Sequence, residues 1–121
     1  MKNENVSTHE KGDYGESQAI EYLISKGYLI ICRNFRCSRG EIDCIAKDPD
    51  GMITFVEVKS SNGSSFGNPA FWITPAKQKT MARIAQVYLV EHRLTGLPCR
   101  FDVITIYNGK IDHLKNAFLV K

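Results

Sequence analysis

The chain has 121 residues, a formal net charge of +3 and an apolar fraction of 43%. These values fit one domain with a single core and exclude a disordered or fibrous chain, and the charge permits a polyanion partner without requiring one. No apolar run approaches the roughly 18 residues of a spanning helix and no secretory signal is evident, so we expect a cytoplasmic protein. We predict a flexible arm over residues 1–12 and a single domain over residues 13–121. The spacing of the four cysteines favours buried, reduced thiols over a zinc site.

The first predicted helix runs from about Asp13 to Lys26, with an aspartate as its N-cap and Gly27 as its stop. Glu16 lies on the same helical stripe as the apolar residues Ala19 and Leu23. An acid on a core-facing stripe is unusual unless it is paired or binds a metal. An acid in a first turn can also simply complement the helix dipole. The position of Glu16 leaves both interpretations open.

The first predicted strand is Tyr28–Arg36. Its segment Leu29–Cys32 has no polar face, so we expect both faces of this strand to be covered. Three arginines cluster between the end of the strand and the following turn. They would contact phosphates if a phosphodiester site lay beside them, and they are solvated loop charges otherwise. These arginines are Arg33, Arg36 and Arg39.

The next two predicted strands, Glu41–Lys47 and Met52–Lys59, form a hairpin around the turn Asp48–Gly51. A three-residue loop that ends at the glycine in a left-handed conformation places Asp43 directly opposite Glu57. A two-residue loop would instead place Asp43 opposite Val56. The position of the glycine favours the first register.

The favoured register brings charged groups together on one strand face. Facing carboxylates about 4.5–5.5 Å apart repel each other, and a hard divalent cation such as Mg²⁺ relieves that repulsion. Lys59 shares a face with Glu57, and Glu41 lies opposite Lys59, where we expect it to pair with that ammonium or to stay in an outer shell. Two carboxylates and an ammonium suit metal-assisted attack of water on a phosphodiester. A solvent-facing hairpin with charges on its wet side is the alternative interpretation.

A mobile loop is predicted over Ser60–Thr74, where serine, asparagine and glycine dominate. Its aromatic residues Phe66, Phe71 and Trp72 either tuck under the loop or stack on a nucleobase. A further alternative is that the Phe71-Trp72 pair docks a protein partner.

A second helix is predicted from Pro75 to about Leu94, with Thr74 as its cap. Its predicted buried stripe is Met81, Ile84, Ala85 and Tyr88. Basic residues in the first turns oppose the helix dipole, which favours a phosphate site there over tolerated surface charges. These basic residues are Lys77, Lys79 and Arg83.

A strand over Cys99–Tyr107 and a second hairpin at Asn108-Gly109, returning through Lys110–Leu114, complete the predicted domain. Arg100 and Asp102 share one strand face and are predicted to form an internal, structural ion pair. The predicted fold class is therefore α/β, with a central mixed β-sheet flanked by helices in the order α-β-β-β-α-β-β.

Gly40–Asp43, a short turn and Phe55–Lys59 resemble the metal-binding core of the PD-(D/E)xK superfamily, which has the restriction-endonuclease-like fold. The whole chain resembles the YraN family of uncharacterised bacterial proteins, which is similar to archaeal Holliday-junction resolvases. The other matching segments are Gly12–Glu16, Arg33–Arg36, Phe66-Gly67, Lys77–Lys79 and Arg100–Val103.

The resemblance implies a Mg²⁺- or Mn²⁺-dependent endonuclease that hydrolyses DNA phosphodiesters, with branched DNA as a candidate substrate and a homodimer as the expected assembly. The implied metal ligands are Asp43, Glu57, Glu16 and the carbonyl of Val58. The implied catalytic set is Asp43, Glu57, Lys59, Glu16 and Gln78. The implied nucleic-acid contacts are Arg33, Arg36, Arg39, Lys77, Lys79 and Arg83.

The chain departs from the family at two places. Members often carry an arginine where this chain has Ser61, and acidic and small residues where it has Phe71-Trp72. These departures keep an alternative function open, a non-catalytic nucleic-acid-binding module with the same fold.

Overall fold

The computed structural model describes residues 15–61 and 73–118. The predicted arm over residues 1–12, the start of the first helix and the aromatic residues of the predicted loop lie outside these ranges. Helix α1 occupies residues 15–25 of the described chain. The elements that follow are β1 (Leu29–Cys37), β2 (Gly40–Lys47), β3 (Ile53–Ser61), α2 (Pro75–Glu91), β4 (Cys99–Tyr107) and β5 (Lys110–Leu114).

The five strands form one mixed sheet in the order β1-β2-β3-β4-β5. Strands β3 and β4 are parallel and the other neighbours are antiparallel. Helix α2 provides the crossover that a parallel pair requires. The predicted mixed α/β class, with a central mixed sheet and two helices, is confirmed.

Each face of the sheet packs against one helix. The core on the α2 side includes Ile42, Ile45, Phe55, Met81, Ile84, Ala85, Tyr88, Phe101 and Val103. The core on the α1 side includes Ala19, Leu23, Cys44, Ala46, Val56, Ile104 and Ile106. The predicted buried stripe of the second helix is confirmed, because all four of its residues are buried.

All four cysteines are free thiols, and Cys44 is the buried one while the others are half-buried. Within the described ranges, neither helix has the length and apolar character that crossing a bilayer would demand.

The β2–β3 hairpin has the predicted register. Lys47 pairs with Ile53 and Cys44 with Val56, as the three-residue loop predicts, and the ladder ends there, one residue before Asp43 and Glu57. At the turn the Asp48 amide donates to the Met52 carbonyl at 2.9 Å. The glycine that ends the loop, Gly51, is left-handed with φ +89°, as a three-residue loop requires.

The expectation that β1 is covered on both faces is wrong. β1 is an edge strand, and the side chains of Leu29 and Ile31 are 63% and 39% exposed. The ladder to β2 shifts register between Ile30 and Cys32, a bulge of the kind that disrupts pairing at sheet edges. Leu29 and Ile31 therefore line an open groove of about 500 Å³, while Ile30 and Cys32 pack against the cores on the α1 and α2 sides.

Helix α2 is shorter than predicted, and β3 is longer. The helix ends at Glu91 because Arg93 adopts a left-handed φ of +56° and the Leu94 amide donates back to the Leu89 carbonyl at 2.8 Å. This is the hydrogen bond of a Schellman motif. Strand β3 continues to Ser61, which pairs with Tyr107, so the predicted loop begins later than Ser60.

A buried polar network holds the other end of the hairpin. Arg100 donates to both oxygens of Asp102, at 2.8 and 3.0 Å, which confirms the predicted internal ion pair. The same guanidinium donates to Asp48 Oδ2 and to the Tyr28 hydroxyl, each at 2.8 Å. His113 Nε2 lies 2.7 Å from Asp102 Oδ2. Burial opposes the ionisation of Asp102, but these hydrogen bonds outweigh it and lower the pKa of Asp102.

We predict that Asp102→Ala lowers the free energy of unfolding by about 3–5 kcal/mol, because it removes a buried carboxylate that contacts Arg100 and His113 and accepts from the Asn116 amide. Urea denaturation measures the change. Since the folded pKa is lowered, the contribution of Asp102 is present above the unfolded pKa near 4 and is lost as pH falls through the folded pKa. The difference from wild type should therefore narrow in strong acid.

The matched control is Asp112→Ala, at an exposed position on β5. It should change stability by no more than about 0.5 kcal/mol. Equal destabilisation by the two substitutions would contradict the role given to the network.

Candidate metal centre

Four acidic residues from three elements converge beside the β2–β3 hairpin. Helix α1 contributes Glu16, strand β2 contributes Glu41 and Asp43, and strand β3 contributes Glu57. One carboxylate oxygen from each of Glu16, Glu41 and Asp43 lies within 4.8 Å of the other two. Glu57 follows Val56, the partner of Cys44 in the register, and its charge acts on the Asp43 carboxyl group. The fold thus brings the predicted acids Glu16 and Asp43 together with Glu41, while Glu57 acts on Asp43 through its charge and pairs with Lys77 of α2.

An irregularity in the sheet explains how β2 presents its acids. Strict alternation would put residues 42 and 44 on one face, yet Ile42 lies in the α2-side core and Cys44 in the α1-side core. The β1–β2 ladder pairs Arg33 with Cys44 and Phe35 with Ile42 but includes no pair between Asn34 and Asp43. Asn34 has a left-handed φ of +55°. The break in alternation leaves Asp43 on the α1 side, together with Glu41 and the helix acid.

The Asp43 carboxyl group sits in a strongly anionic environment. Its pKa is raised to about 7, first by burial and then by the charge of Glu57, with smaller contributions from Glu16 and Glu41. One hydrogen bond opposes this rise, from the Val58 amide to Asp43 Oδ2 at 2.8 Å. The protonated form of Asp43 is therefore favoured relative to an exposed carboxyl group, and a cation placed beside it would favour the ionised form.

Three of the predicted nucleic-acid contacts lie against the other three acids. The ion pairs join Lys77 Nζ to Glu57 Oε2 at 3.0 Å, Arg36 Nε to Glu41 Oε1 at 3.2 Å, and Arg33 Nη2 to Glu16 Oε1 at 4.0 Å. Asp43 makes no ion pair with any residue of the described ranges. The centre thus consists of an acid with a raised pKa and a surrounding shell of acids that are paired with basic side chains.

The other predicted basic residues, Lys79, Arg83 and Arg39, are exposed, and their contact with nucleic acid stays a prediction. A Cβ atom built on Gly40, next to Arg39, would meet Ile84 Cδ1 at 3.2 Å, so the β1–β2 turn packs directly on the helix that carries Lys79 and Arg83.

Gln78 and Lys59 have different settings in the structure. The Gln78 side-chain amide donates to the Ile73 carbonyl at 3.0 Å, which braces the start of α2. Thr74 caps that helix by accepting from the Lys77 amide at 3.1 Å, as predicted. Lys59 is exposed on β3, two residues after Glu57. The catalytic roles of Gln78 and Lys59 stay predictions.

Two residues, Glu41 and Asn34, contribute to the site in ways that the sequence did not predict. Glu41, which was expected in an outer shell, belongs to the closest trio of carboxylates, and its alternation with Asp43 along β2 was the available signal. The backbone of Asn34 marks the irregularity, for which the sequence offers only the tolerance of asparagine for left-handed φ. Val58 faces Asp43 with its amide, and the predicted ligation by its carbonyl stays a prediction.

The donor set fits a hard divalent cation. Glu16, Glu41 and Asp43 offer only carboxylate oxygens, the ligands that Mg²⁺ and Mn²⁺ prefer, and no thiol or imidazole belongs to the trio. Burial and then the neighbouring carboxylates disfavour the charged form of Asp43 and raise its pKa. A divalent cation would stabilise that charged form.

We predict that Asp43→Asn stabilises the metal-free protein at high pH. The folded pKa of about 7 exceeds the unfolded value, so ionising Asp43 costs stability as pH rises from about 4 to 7. The neutral amide avoids this cost and can still accept from Val58. Between about pH 5 and 8, in chelator, the free energy of unfolding of the variant should rise by about 2–3 kcal/mol relative to that of wild type, as measured by urea denaturation. Asp112→Asn is the control, and a gain that does not depend on pH would contradict the electrostatic account.

Comparison with known proteins places the chain in a family. The model of the uncharacterised protein family UPF0102 matches residues 15–106. A UPF0102 protein of Clostridioides difficile (strain 630) is 44% identical over 115 residues, which cover 93% of this chain and 100% of that protein. A UPF0102 protein of Persephonella marina is 45% identical over 108 residues, which cover 89% and 92%. A UPF0102 protein of Symbiobacterium thermophilum is 44% identical over 112 residues, which cover 88% and 94%. The chain belongs to the uncharacterised protein family UPF0102.

Proposed function

We propose that this protein is a Mg²⁺- or Mn²⁺-dependent endonuclease that hydrolyses DNA phosphodiesters, with the restriction-endonuclease-like fold. The observation that carries the proposal is the convergence of Glu16, Glu41 and Asp43 within 4.8 Å, with Glu57 near enough for its charge to act on Asp43. The resemblance of Gly40–Asp43 and Phe55–Lys59 to the PD-(D/E)xK core supports the reaction class.

The acids would hold the metal ion. Glu16, Glu41 and Asp43 are the candidate ligands that the geometry favours, and Glu57 joins them when its ion pair with Lys77 opens. When bound, the ion would supply Lewis-acid polarisation of a phosphoryl oxygen and a lowered pKa of water. The Val58 amide keeps Asp43 oriented by its hydrogen bond to Oδ2.

Basic side chains would hold the substrate. Arg33, Arg36 and Lys77 each pair with one of the acids, so a phosphate bound at the centre would have these cations close by. Guanidinium groups suit phosphate oxygens because they donate in a planar fork. Lys59 follows Glu57 on an exposed stretch of β3, where its ammonium would offset charge that develops on the phosphorus centre. DNA is the proposed polyanion, and four-way junctions are the branched form to test.

One observation favours a second candidate, a nucleic-acid-binding module without turnover. Glu16, Glu41 and Glu57 already carry basic partners, so part of the acid charge is neutralised without a metal. In that case the protein binds DNA in a salt-dependent manner and gains nothing from Mg²⁺.

The deciding experiment is a cleavage assay on labelled single-stranded, duplex and four-way-junction DNA in Mg²⁺, Mn²⁺ or chelator. We expect wild type to cleave at least one substrate only with the divalent ion. Asp43→Asn, Glu41→Gln and Lys59→Ala should each reduce the rate by about 100-fold or more, because each removes a ligand or an electrostatic contact at the reacting phosphate.

Asp112→Asn is the control and should cleave as wild type does. Salt-dependent binding of all three DNAs without cleavage would assign the second candidate. Cleavage that persists in Asp43→Asn, or that proceeds in chelator, would overturn the metal-dependent mechanism.

A further inference from the structure

Asn34 combines an unusual backbone with a side chain that faces the acids. It lies in the middle of β1 with φ +55°, a conformation that is uncommon for any residue except glycine and that asparagine tolerates better than most. Within β1 of the described chain it is the only non-glycine residue with positive φ. The backbone thus departs from strand geometry at the position opposite Asp43.

The amide of Asn34 spans two acids from different elements. Its orientation follows from hydrogen bonding, because the reverse orientation would set the amide oxygen against two carboxylates. The amide nitrogen then lies 2.8 Å from Glu41 Oε2 and 3.1 Å from Glu16 Oε1. One neutral donor group therefore links the β2 acid to the α1 acid.

Neutrality suits this position. Arg36 contacts Glu41 through Oε1, so the amide and the guanidinium hold one oxygen each of that carboxylate. Arg33 and Arg36 already offset part of the charge of Glu16 and Glu41, and a cation in place of Asn34 would offset more of the charge that a metal ion needs. An amide links the two acids without adding positive charge.

We propose that Asn34 is the positioning residue of the metal centre: its amide holds Glu16 and Glu41 in the arrangement in which they and Asp43 bind Mg²⁺ or Mn²⁺. This inference rests on the proposed function. Hydrogen-bond donors that orient metal ligands commonly contribute 10- to 100-fold to metal affinity. The left-handed backbone of Asn34 orients its side-chain amide so that it lies between the two acids.

The test is Mn²⁺ affinity on the folded protein, measured by the loss of the free-ion electron paramagnetic resonance signal. Asn34→Gly keeps the left-handed backbone accessible and removes both amide donors. We expect about tenfold weaker Mn²⁺ binding than in wild type. The matched control is Asn108→Gly, which makes the same change at a left-handed asparagine with φ +50° in the β4–β5 turn, and it should bind as wild type does.

The DNA-cleavage assay gives a second readout. Asn34→Gly should need about tenfold more Mn²⁺ for half-maximal cleavage and should recover the wild-type rate at saturating Mn²⁺. A residue that only supports the fold would lower the melting temperature in chelator and leave the Mn²⁺ dependence unchanged.

A second variant keeps the test decisive if the glycine variant folds poorly. Asn34→Asp keeps the side-chain shape and places a carboxylate against the two acids, so the melting temperature of this variant should fall in chelator. Adding Mn²⁺ should raise its melting temperature by more than it raises that of the control variant, Asn108→Asp.

The outcomes separate the two claims. Wild type that binds Mn²⁺, together with Asn34→Gly that binds it equally well, would overturn the role of Asn34 alone. Wild type that binds no Mn²⁺ would overturn the metal centre and, with it, this inference.

Discussion

The carboxylate of Asp48 fixes the hairpin on which the acidic centre depends. Its Oδ1 accepts from the amides of Asp50 and Met52 at 2.8 and 2.9 Å, which closes the turn, and its Oδ2 accepts from Arg100, which ties the turn to β4. Hydrogen bonds from the Met52 and Asp50 amides and from Arg100 outweigh burial and lower the pKa of Asp48, so the charge is present at neutral pH. A slip of one residue in this register would move Asp43 to the other face of the sheet. The position of the site is therefore set at the far end of the hairpin from the site itself.

Two kinds of charge organisation coexist on the same strands. Around Arg100, two carboxylates, a guanidinium and a histidine satisfy one another and stabilise the fold. Around Asp43, burial and then the charges of neighbouring carboxylates raise the pKa of the carboxyl group, a combination that is typical of functional sites. This contrast distinguishes the structural acids, Asp48 and Asp102, from the candidate metal ligands on physical grounds.

Local chemistry explains which features could be predicted from the sequence. The hairpin register followed from one glycine, the buried stripe of α2 from helical periodicity, and the β4–β5 turn from Asn108-Gly109, where φ is +50° and +83°. Membership of an uncharacterised bacterial family could also be predicted from the sequence, and the match to UPF0102 confirms it. The exposure of Leu29 was missed because an apolar run does not reveal whether its strand is central or at an edge. The place of Glu41 in the trio was missed because Glu41 was expected to pair with Lys59 or to stay in an outer shell, although its spacing of two residues from Asp43 was an available signal. The broken alternation near Asn34 could not be predicted, because it has no counterpart in the pattern of residue types.

The most direct measurement is the pKa of Asp43 itself, followed through its side-chain carboxyl carbon by nuclear magnetic resonance. The account predicts a pKa of about 7 in chelator, and a shift to well below that value when Mg²⁺ is added, because the cation replaces the proton among the acids. A pKa near 4 that Mg²⁺ leaves unchanged would contradict it, because the carboxylates would then be solvated neighbours and not a binding site.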